Sequence, residues 1–527
     1  MSYKNYTLVV LDKYERAIPD VIKDYILSLN IITEVISLSD LAEYFATTGC
    51  CNDTMYIITQ MVLNTEFFTG TSKRILESTN IAFLNVEMLT ETNRMNYMID
   101  IIKYTNFKII DYSFENILFL IEYLHSYNII YYNTIIYFPY QFNLKENLVL
   151  KNKDKYEYDI GIINAKPIKS DTVNDNLTYK RTLLYQKLQN NSNLKTINIM
   201  GWEDKRDKII SKCKIILNIH NFECYNIHES IRCDRLVFAK RVIVSEFSKY
   251  TNLLDTFHHI FFDKYDNLIQ ISENIINNFN EYEDKMNESD TTNLIINRRF
   301  IFKKEYKKLN QKNYVSRHDI INDVITENNT YLEIGIEHGH TFTNIISSKK
   351  IGVDPSPKYI SSEIVKKTSD DFFKSNTKTF DAIFIDGMHQ VEYILQDFNN
   401  SVEFLNINAE LGYIFLDDIL PINKQEQEKL PSNHFFEDSI LKYKNCAWTG
   451  DVWKFLFYLI CNYINQIDLE IYNSPYYRGV AKIKLNNKII IPVSALNKIN
   501  NYTYDKDFVS YIKQLTLYSC YSNNNRS

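Results

Sequence analysis

At 527 residues the chain is long enough for three or four compact units of ordinary size. With 45% hydrophobic and 24% charged residues it can build real cores, which excludes a wholly disordered polymer. A formal net charge of −6 argues against a long electrostatic footprint on nucleic acid, though it leaves room for local basic pockets that hold phosphate.

The eight cysteines follow no regular framework, and Cys50 and Cys51 are adjacent, so a reducing environment fits best. The opening MSYKNYTLVVLDKYER has no basic segment leading into an apolar one with a cleavage site. The greasiest stretch, Ile109 to Phe138, is interrupted by Asp111, Glu115, Glu122 and His125, a poor membrane span. Low Gly and high Tyr, with much Asn, Ile and Lys, reflect A/T-rich coding of the kind found in large DNA viruses and some low-GC microbes. The expectation is a soluble protein of the cytoplasm, the host's if the genome is viral.

Short apolar runs alternate with longer amphipathic ones almost from the first residue, which predicts βα units around parallel sheets. In the first part strands are predicted at Tyr6–Leu11, Ile31–Ser37, Met55–Thr59, Ile81–Asn85 and Lys108–Ile110. The rhythm breaks near YFPY (Tyr137–Tyr140) and a polar segment follows, marking a boundary. A second set has strands at Tyr158–Ile163, Lys195–Ile199, Lys214–His220 and Arg241–Glu246, with helices Tyr179–Gln189, Asp204–Lys212 and Glu229–Ala239 between them. Beyond Asp266 the chain turns helical and heavily charged. A third set begins at Tyr331, with strands at Tyr331–Ile336, Lys350–Val353, Phe380–Ile385 and Gly412–Leu416. The fold class is therefore α/β, with lobes over residues 1–145 and 155–285, a helical linker over 286–313 and a further Rossmann-like domain over 314–527.

The third set carries the densest chemistry. In YLEIGIEHGHT a strand ends at Glu333, and Gly335 and Gly339 flank a turn into a helix. Such a turn lets backbone approach a cofactor closely, although it also occurs where no ligand binds. The next strand ends at Asp354, where a carboxylate can accept from both hydroxyls of a ribose. TSDDFF supplies Asp370, able to accept from an adenine amino group. FDAIFIDGMH then ends a strand at Asp386 with His389 just beyond, and YIFLDD ends another at Asp417 and Asp418.

This ordered set, with LQDF and TGDVWK after it, resembles class I S-adenosylmethionine-dependent methyltransferases. The likeness is closest to the polysaccharide and sugar O-methyltransferase branch, and it runs over roughly Val315 to Leu485. It implies that Glu333, Gly335 and Gly339 face the amino-acid part of S-adenosylmethionine, that Asp354 binds its ribose and that Asp370 reads its adenine. Related sugar O-methyltransferases hold a divalent metal on a comparable acidic trio, which here would be Asp386, Asp417 and Asp418 with Mg²⁺. His389 and Asp386 are then the candidate catalytic residues. The plainer readings are a histidine bonded to its own loop, acids capping strand ends, and Asp451 of GDVW as a helix cap beside a packed Trp453.

In the second set, CKIILNIHNFECYNIHESIRCDRLVFAKRVIVSE runs strand, loop, helix and strand. It resembles the donor lobe of GT-B glycosyltransferases. By that likeness Glu229 would contact the ribose of a nucleotide-sugar, while Arg232 or Lys166 would neutralise its phosphates. A simple Glu–Arg pair within the helix is the alternative. Residues 1–145 would then be the acceptor lobe, with Glu87 and Asp111 toward the cleft. His220, Cys224, His228 and Cys233 lie close in sequence, but their spacing matches no common zinc pattern. The combined expectation is a bifunctional glycan-modifying enzyme that takes a nucleotide-sugar, a glycan or sugar acceptor and S-adenosylmethionine, with no nucleic-acid partner and no membrane span. A methyltransferase with a non-catalytic N-terminal binding module is the alternative.

Overall fold

The computed structural model describes residues 5–10, 25, 31–37, 40–43, 53–59, 73–78, 80–85, 89, 93–105, 107–127, 135–151, 156–163, 180–190, 193–200, 203–220, 226–311, 314, 316–407, 411–429, 448–474 and 477–517. Lys166, Glu87 and Cys224 lie outside them. The chain is α/β throughout and divides into two compact units. The first comprises Met1–Leu120 and Thr134–Gln311, the second Ile121–Asn133 and Lys312–Ser527.

The first unit holds two parallel sheets. One has strands β1 (Asn5–Val10), β2 (Glu34–Ser37), β3 (Thr54–Thr59), β4 (Ile81–Asn85), β5 (Lys108–Asp111) and β6 (Ile135–Tyr137), in the order β2-β1-β3-β4-β5-β6. The other has β7 (Tyr158–Ile163), β8 (Thr196–Ile199), β9 (Cys213–Asn218), β10 (Val242–Glu246) and β11 (Phe261–Asp263), in the order β11-β10-β9-β7-β8. Central strands such as β4 and β10 are buried along their whole length, as expected where helices cover both faces of a parallel sheet. The YFPY break is the end of β6, a strand too short to register as a run of its own.

The segment expected as a linker contains the helix Thr292–Leu309, which is built into this unit. Its buried Arg298 donates to Asp234 (2.8 Å), to Asp255 (2.7 and 2.8 Å) and to the Tyr140 carbonyl (3.2 Å). Its Glu305 accepts the Tyr137 amide at 2.9 Å. A charged helix is thus held by paired polar groups on a buried face, a pattern that amphipathic periodicity does not signal.

The second unit carries a seven-stranded sheet of β12 (Thr330–Ile334), β13 (Lys349–Val353), β14 (Ile364–Val365), β15 (Ala382–Ile385), β16 (Tyr413–Leu416), β17 (Ile467–Ser474) and β18 (Tyr477–Leu485). The order is β14-β13-β12-β15-β16-β18-β17. The first five strands are parallel, and β18 inserts antiparallel between β16 and β17. The order reverses between β12 and β15, and the crevice outside the carboxyl ends at such a switch point is where open α/β sheets bind ligands. No helix among the described residues is long and apolar enough to cross a membrane.

Candidate functional site

Register places the site of the second unit. Ile334 pairs with Val353 on one side and with Ile385 on the other, and Ile385 pairs with Leu416. The residues one step beyond these, Asp354, Gly335, Asp386 and Asp417, therefore form a row along the carboxyl edge. Gly335 adopts φ +88°, and a Cβ there would lie 2.0 Å from the Asp386 carbonyl oxygen, so this position admits only glycine. Asp354 pins the same turn: Oδ2 accepts the Ile336 and Glu337 amides at 2.9 and 3.0 Å, and Oδ1 accepts the Ser356 amide at 2.6 Å. Glu333 is buried beneath the turn and accepts the Tyr331 hydroxyl at 2.6 Å. Burial pushes its carboxyl up to about 8.

Asp370 lies in the first turn of the helix Ser369–Ser375, where its Oδ1 accepts from Asn400 at 3.4 Å. The Thr368 side chain caps that helix by accepting the Asp371 amide.

The acidic cluster forms beyond β15 and β16. His389 places Nε2 3.3 Å from Asp386 Oδ1 and Nδ1 3.3 Å from Asp418 Oδ2, with Nδ1 also 3.0 Å from the Trp448 carbonyl. Burial disfavours a charged imidazole, but Asp418 and Asp386 outweigh it and raise His389 to about 10. Without a cation the ring therefore holds a proton between the two acids, and a bound divalent cation would take the place of that proton. Burial and crowding by Asp386 and Asp418 push the Asp417 carboxyl well above its ordinary range. Asp418 is raised too, chiefly by burial, although His389 opposes the shift. Asp418 also holds the left-handed conformation at φ +55°, uncommon for a residue with a side chain.

Of the acids expected to act together, Asp386 and Asp418 converge with His389, their ligand atoms all within 4.8 Å of one another. Asp417 turns instead to Arg317, whose Nε pairs with Asp417 Oδ2 while a terminal nitrogen lies 3.8 Å from Asp418 Oδ1. Two carboxylates and a neutral imidazole are a mixed oxygen and nitrogen donor set that fits a first-row divalent cation such as Mn²⁺. Beside them the buried Asp417 Oδ1 has no hydrogen-bond partner among the described residues.

TGDVW supports this group from behind. A Cβ on Gly450 would meet the His389 carbonyl oxygen at 1.7 Å, and the Asp451 amide donates to that oxygen at 3.1 Å. Asp451 precedes the helix Val452–Tyr463 but makes no side-chain cap to it. Its Oδ1 accepts the Val391 amide at 2.8 Å, capping the neighbouring helix Val391–Phe404. Trp453 is fully buried, and the Trp448 ring lies 5.1 Å from that of His389. Arg317 and Trp448 are the site residues that sequence reasoning missed. Neither lies in a motif, and only the tertiary fold brings them in.

In the first unit, Glu229 precedes the helix Ser230–Phe238 and pairs with both Arg181 and Arg232. Burial works against its charge, but Arg181 and Arg232 prevail and hold it below the usual carboxylate range. The intrahelical Glu229–Arg232 pair is present, and Arg181 joins it from the helix Lys180–Gln189. Lys180 pairs with Glu246 at the end of β10. Asp111 does not face a cleft. It is buried, taking the Asn85 amide at 2.6 Å and the Ser113 backbone N–H at 2.7 Å. His220 and Cys233 are buried without joining any metal-ligating group among the described residues.

No protein-family model matches the chain. Three curated relatives are uncharacterized proteins of Acanthamoeba polyphaga mimivirus. L138 is 33% identical over 202 residues, 37% of this chain and 20% of its own length. L140 is 29% identical over 224 residues, 41% of this chain and 65% of its own. L137 is 34% identical over 202 residues, 37% of this chain and 25% of its own. The chain thus spans less than two thirds of each. Among solved structures it is similar to SMU.1697c of Streptococcus mutans, assigned as a methyltransferase, in complex with SAH, at 11% identity and a TM-score of 0.21 over 32% of this chain and 93% of that one. It is also similar to an alpha1,3-fucosyltransferase, at 10% identity and a TM-score of 0.31 over 55% of this chain and 83% of that one. The α/β assignment rests on the strand order and register themselves.

Proposed function

We propose that the second unit transfers the methyl group of S-adenosylmethionine to a sugar hydroxyl, and that the first unit is a glycosyltransferase-like module taking a nucleotide-sugar. The methyl-transfer reading is carried by the row Asp354–Gly335–Asp386–Asp417 at the switch point of the seven-stranded sheet, with His389 and Asp418 closing over it. By resemblance, Glu333, Gly335 and Gly339 face the methionine part of the cofactor, Asp354 its ribose and Asp370 its adenine. The acceptor then lies on the side of Asp386 and His389.

Methyl transfer is a displacement at carbon. The acceptor oxygen forms a C–O bond as the C–S bond breaks, the thioether leaves, and the hydroxyl proton needs a receiver. Asp386 is the most exposed carboxylate of the cluster, with 27% of its side chain accessible, and so the best placed to take that proton. His389, in contact on either side with Asp386 and Asp418, orients the Asp386 carboxylate toward the acceptor. A divalent cation such as Mn²⁺, held by Asp386, deprotonated His389 and Asp418, would supply Lewis-acid polarisation of the acceptor hydroxyl.

The test incubates the full chain with sugar acceptors and trideuteromethyl-labelled S-adenosylmethionine and follows the mass of the product. Asp386→Asn is expected to lower the rate about 10²–10⁴-fold, as loss of a positioned base does. Labelled product formed at an undiminished rate by the variant would refute the assignment. A second reading, methyltransfer alone with a non-catalytic N-terminal module, is favoured by one observation: Glu229 is already paired with Arg181 and Arg232. Transfer from nucleotide-sugars that is lost in Glu229→Ala decides for two activities, and no transfer by the parent decides for one.

A further inference from the structure

Arg317 belongs to none of the motifs in the second unit, yet it reaches the centre of the acidic cluster. It begins the short helix Arg317–Asn322, ahead of β12, and lies over the Tyr477 ring at 5.8 Å. Its Nε pairs with Asp417 and its terminal nitrogen approaches Asp418 Oδ1 to 3.8 Å. Asp417 is buried, at 2% exposure, and its Oδ1 remains without a hydrogen-bond partner among the described residues. A buried carboxylate oxygen left in that state is costly unless something positive comes to it.

We propose that Arg317 is a positioning residue that acts as a built-in counter-cation: it holds Asp417 away from the group Asp386–His389–Asp418, so that a divalent cation meets those three ligands, and its removal frees Asp417 to become a fourth. This rests on reading the cluster as the acceptor end of a methyltransferase site. Electrostatics supports it in two ways. A guanidinium between two carboxylates repels an incoming cation, and it satisfies one acid that would otherwise be drawn to the metal. Arg317 therefore lowers cation affinity while it occupies the Asp417 carboxylate that would otherwise be free to turn to the cation.

The test titrates the full chain with Mn²⁺ and reads free metal by electron paramagnetic resonance, a measurement independent of turnover. Arg317→Gln is expected to bind Mn²⁺ at least ~10-fold more tightly than the parent, since an opposing charge is removed and a ligand is gained. Arg317→Lys, which keeps the charge, should stay near the parent. In the parent background Asp418→Asn should abolish Mn²⁺ binding, whereas Asp417→Asn should change it less than about threefold, a comparison that stands even if Arg317→Gln does not fold. Unchanged or weaker binding in folded Arg317→Gln, equal losses in Asp417→Asn and Asp418→Asn, or no binding by any variant would each overturn the proposal. Calorimetry with S-adenosylhomocysteine on the same samples separates the two claims. Loss of that heat in the parent refutes the methyltransferase reading, whereas unchanged Mn²⁺ affinity with the heat intact refutes only the role of Arg317.

Discussion

Asp397 is a residue whose ionisation the fold has altered without giving it an ion pair among the described residues. It sits on the helix Val391–Phe404, buried behind Gly387, the residue after Asp386. Burial raises its carboxyl to about 7, a hydrogen bond from Ser369 pulls the other way, and the nearby Asp370 charge adds to the rise. Between the unfolded value near 4 and about 7 the folded chain keeps a proton that the unfolded chain has released, so stability falls as pH rises through that window. Asp397→Asn has no proton to lose. Relative to the parent it should gain at most about 3 kcal/mol between pH 5 and pH 8, measured by denaturant unfolding at both values. A gap between parent and variant that does not change with pH would show that Asp397 ionises normally.

At the scale of elements, polar groups explain what apolar periodicity leaves open. Lys108, on β5, is buried, and burial lowers its amine to about 7. Its Nζ donates to the carbonyls of Leu309 and Gln311 at 2.7 Å each and of Lys308 at 3.3 Å, closing the C-terminus of the helix Thr292–Leu309. Lys108→Met should strand those carbonyls and cost about 1–3 kcal/mol, read as a lower unfolding midpoint for the first unit. An unchanged midpoint would mean that water serves them equally well. The same contrast explains what was legible in the sequence. Strands β4 and β7 fall where apolar runs place them, and the acids at the tips of β15 and β16 follow from those strands alone. β6 and β14 are too short to show as runs, and the hairpin of β17 and β18 departs from the βα rhythm although Ile467, Leu469 and Ile471 alternate with acids. Arg317 and the two-sided grip on His389 arise only when distant segments meet, and no local pattern encodes that.

At the scale of the molecule, two units on one chain raise the effective concentration of each for the product of the other. If both are active, intact chains should make doubly modified glycan faster than an equimolar mixture of Glu229→Ala and Asp386→Asn chains at submicromolar enzyme. Equal rates would show that the units work independently. The most direct measurement is calorimetric titration of the full chain with S-adenosylhomocysteine, alongside Gly335→Ala, in which a methyl group would collide with the Asp386 carbonyl at the floor of the turn. One equivalent should bind the parent with measurable heat, and the variant should bind none. A parent chain that gives no heat, or a variant that binds as the parent does, would contradict the placement of a nucleoside pocket at the tips of β12, β13 and β15.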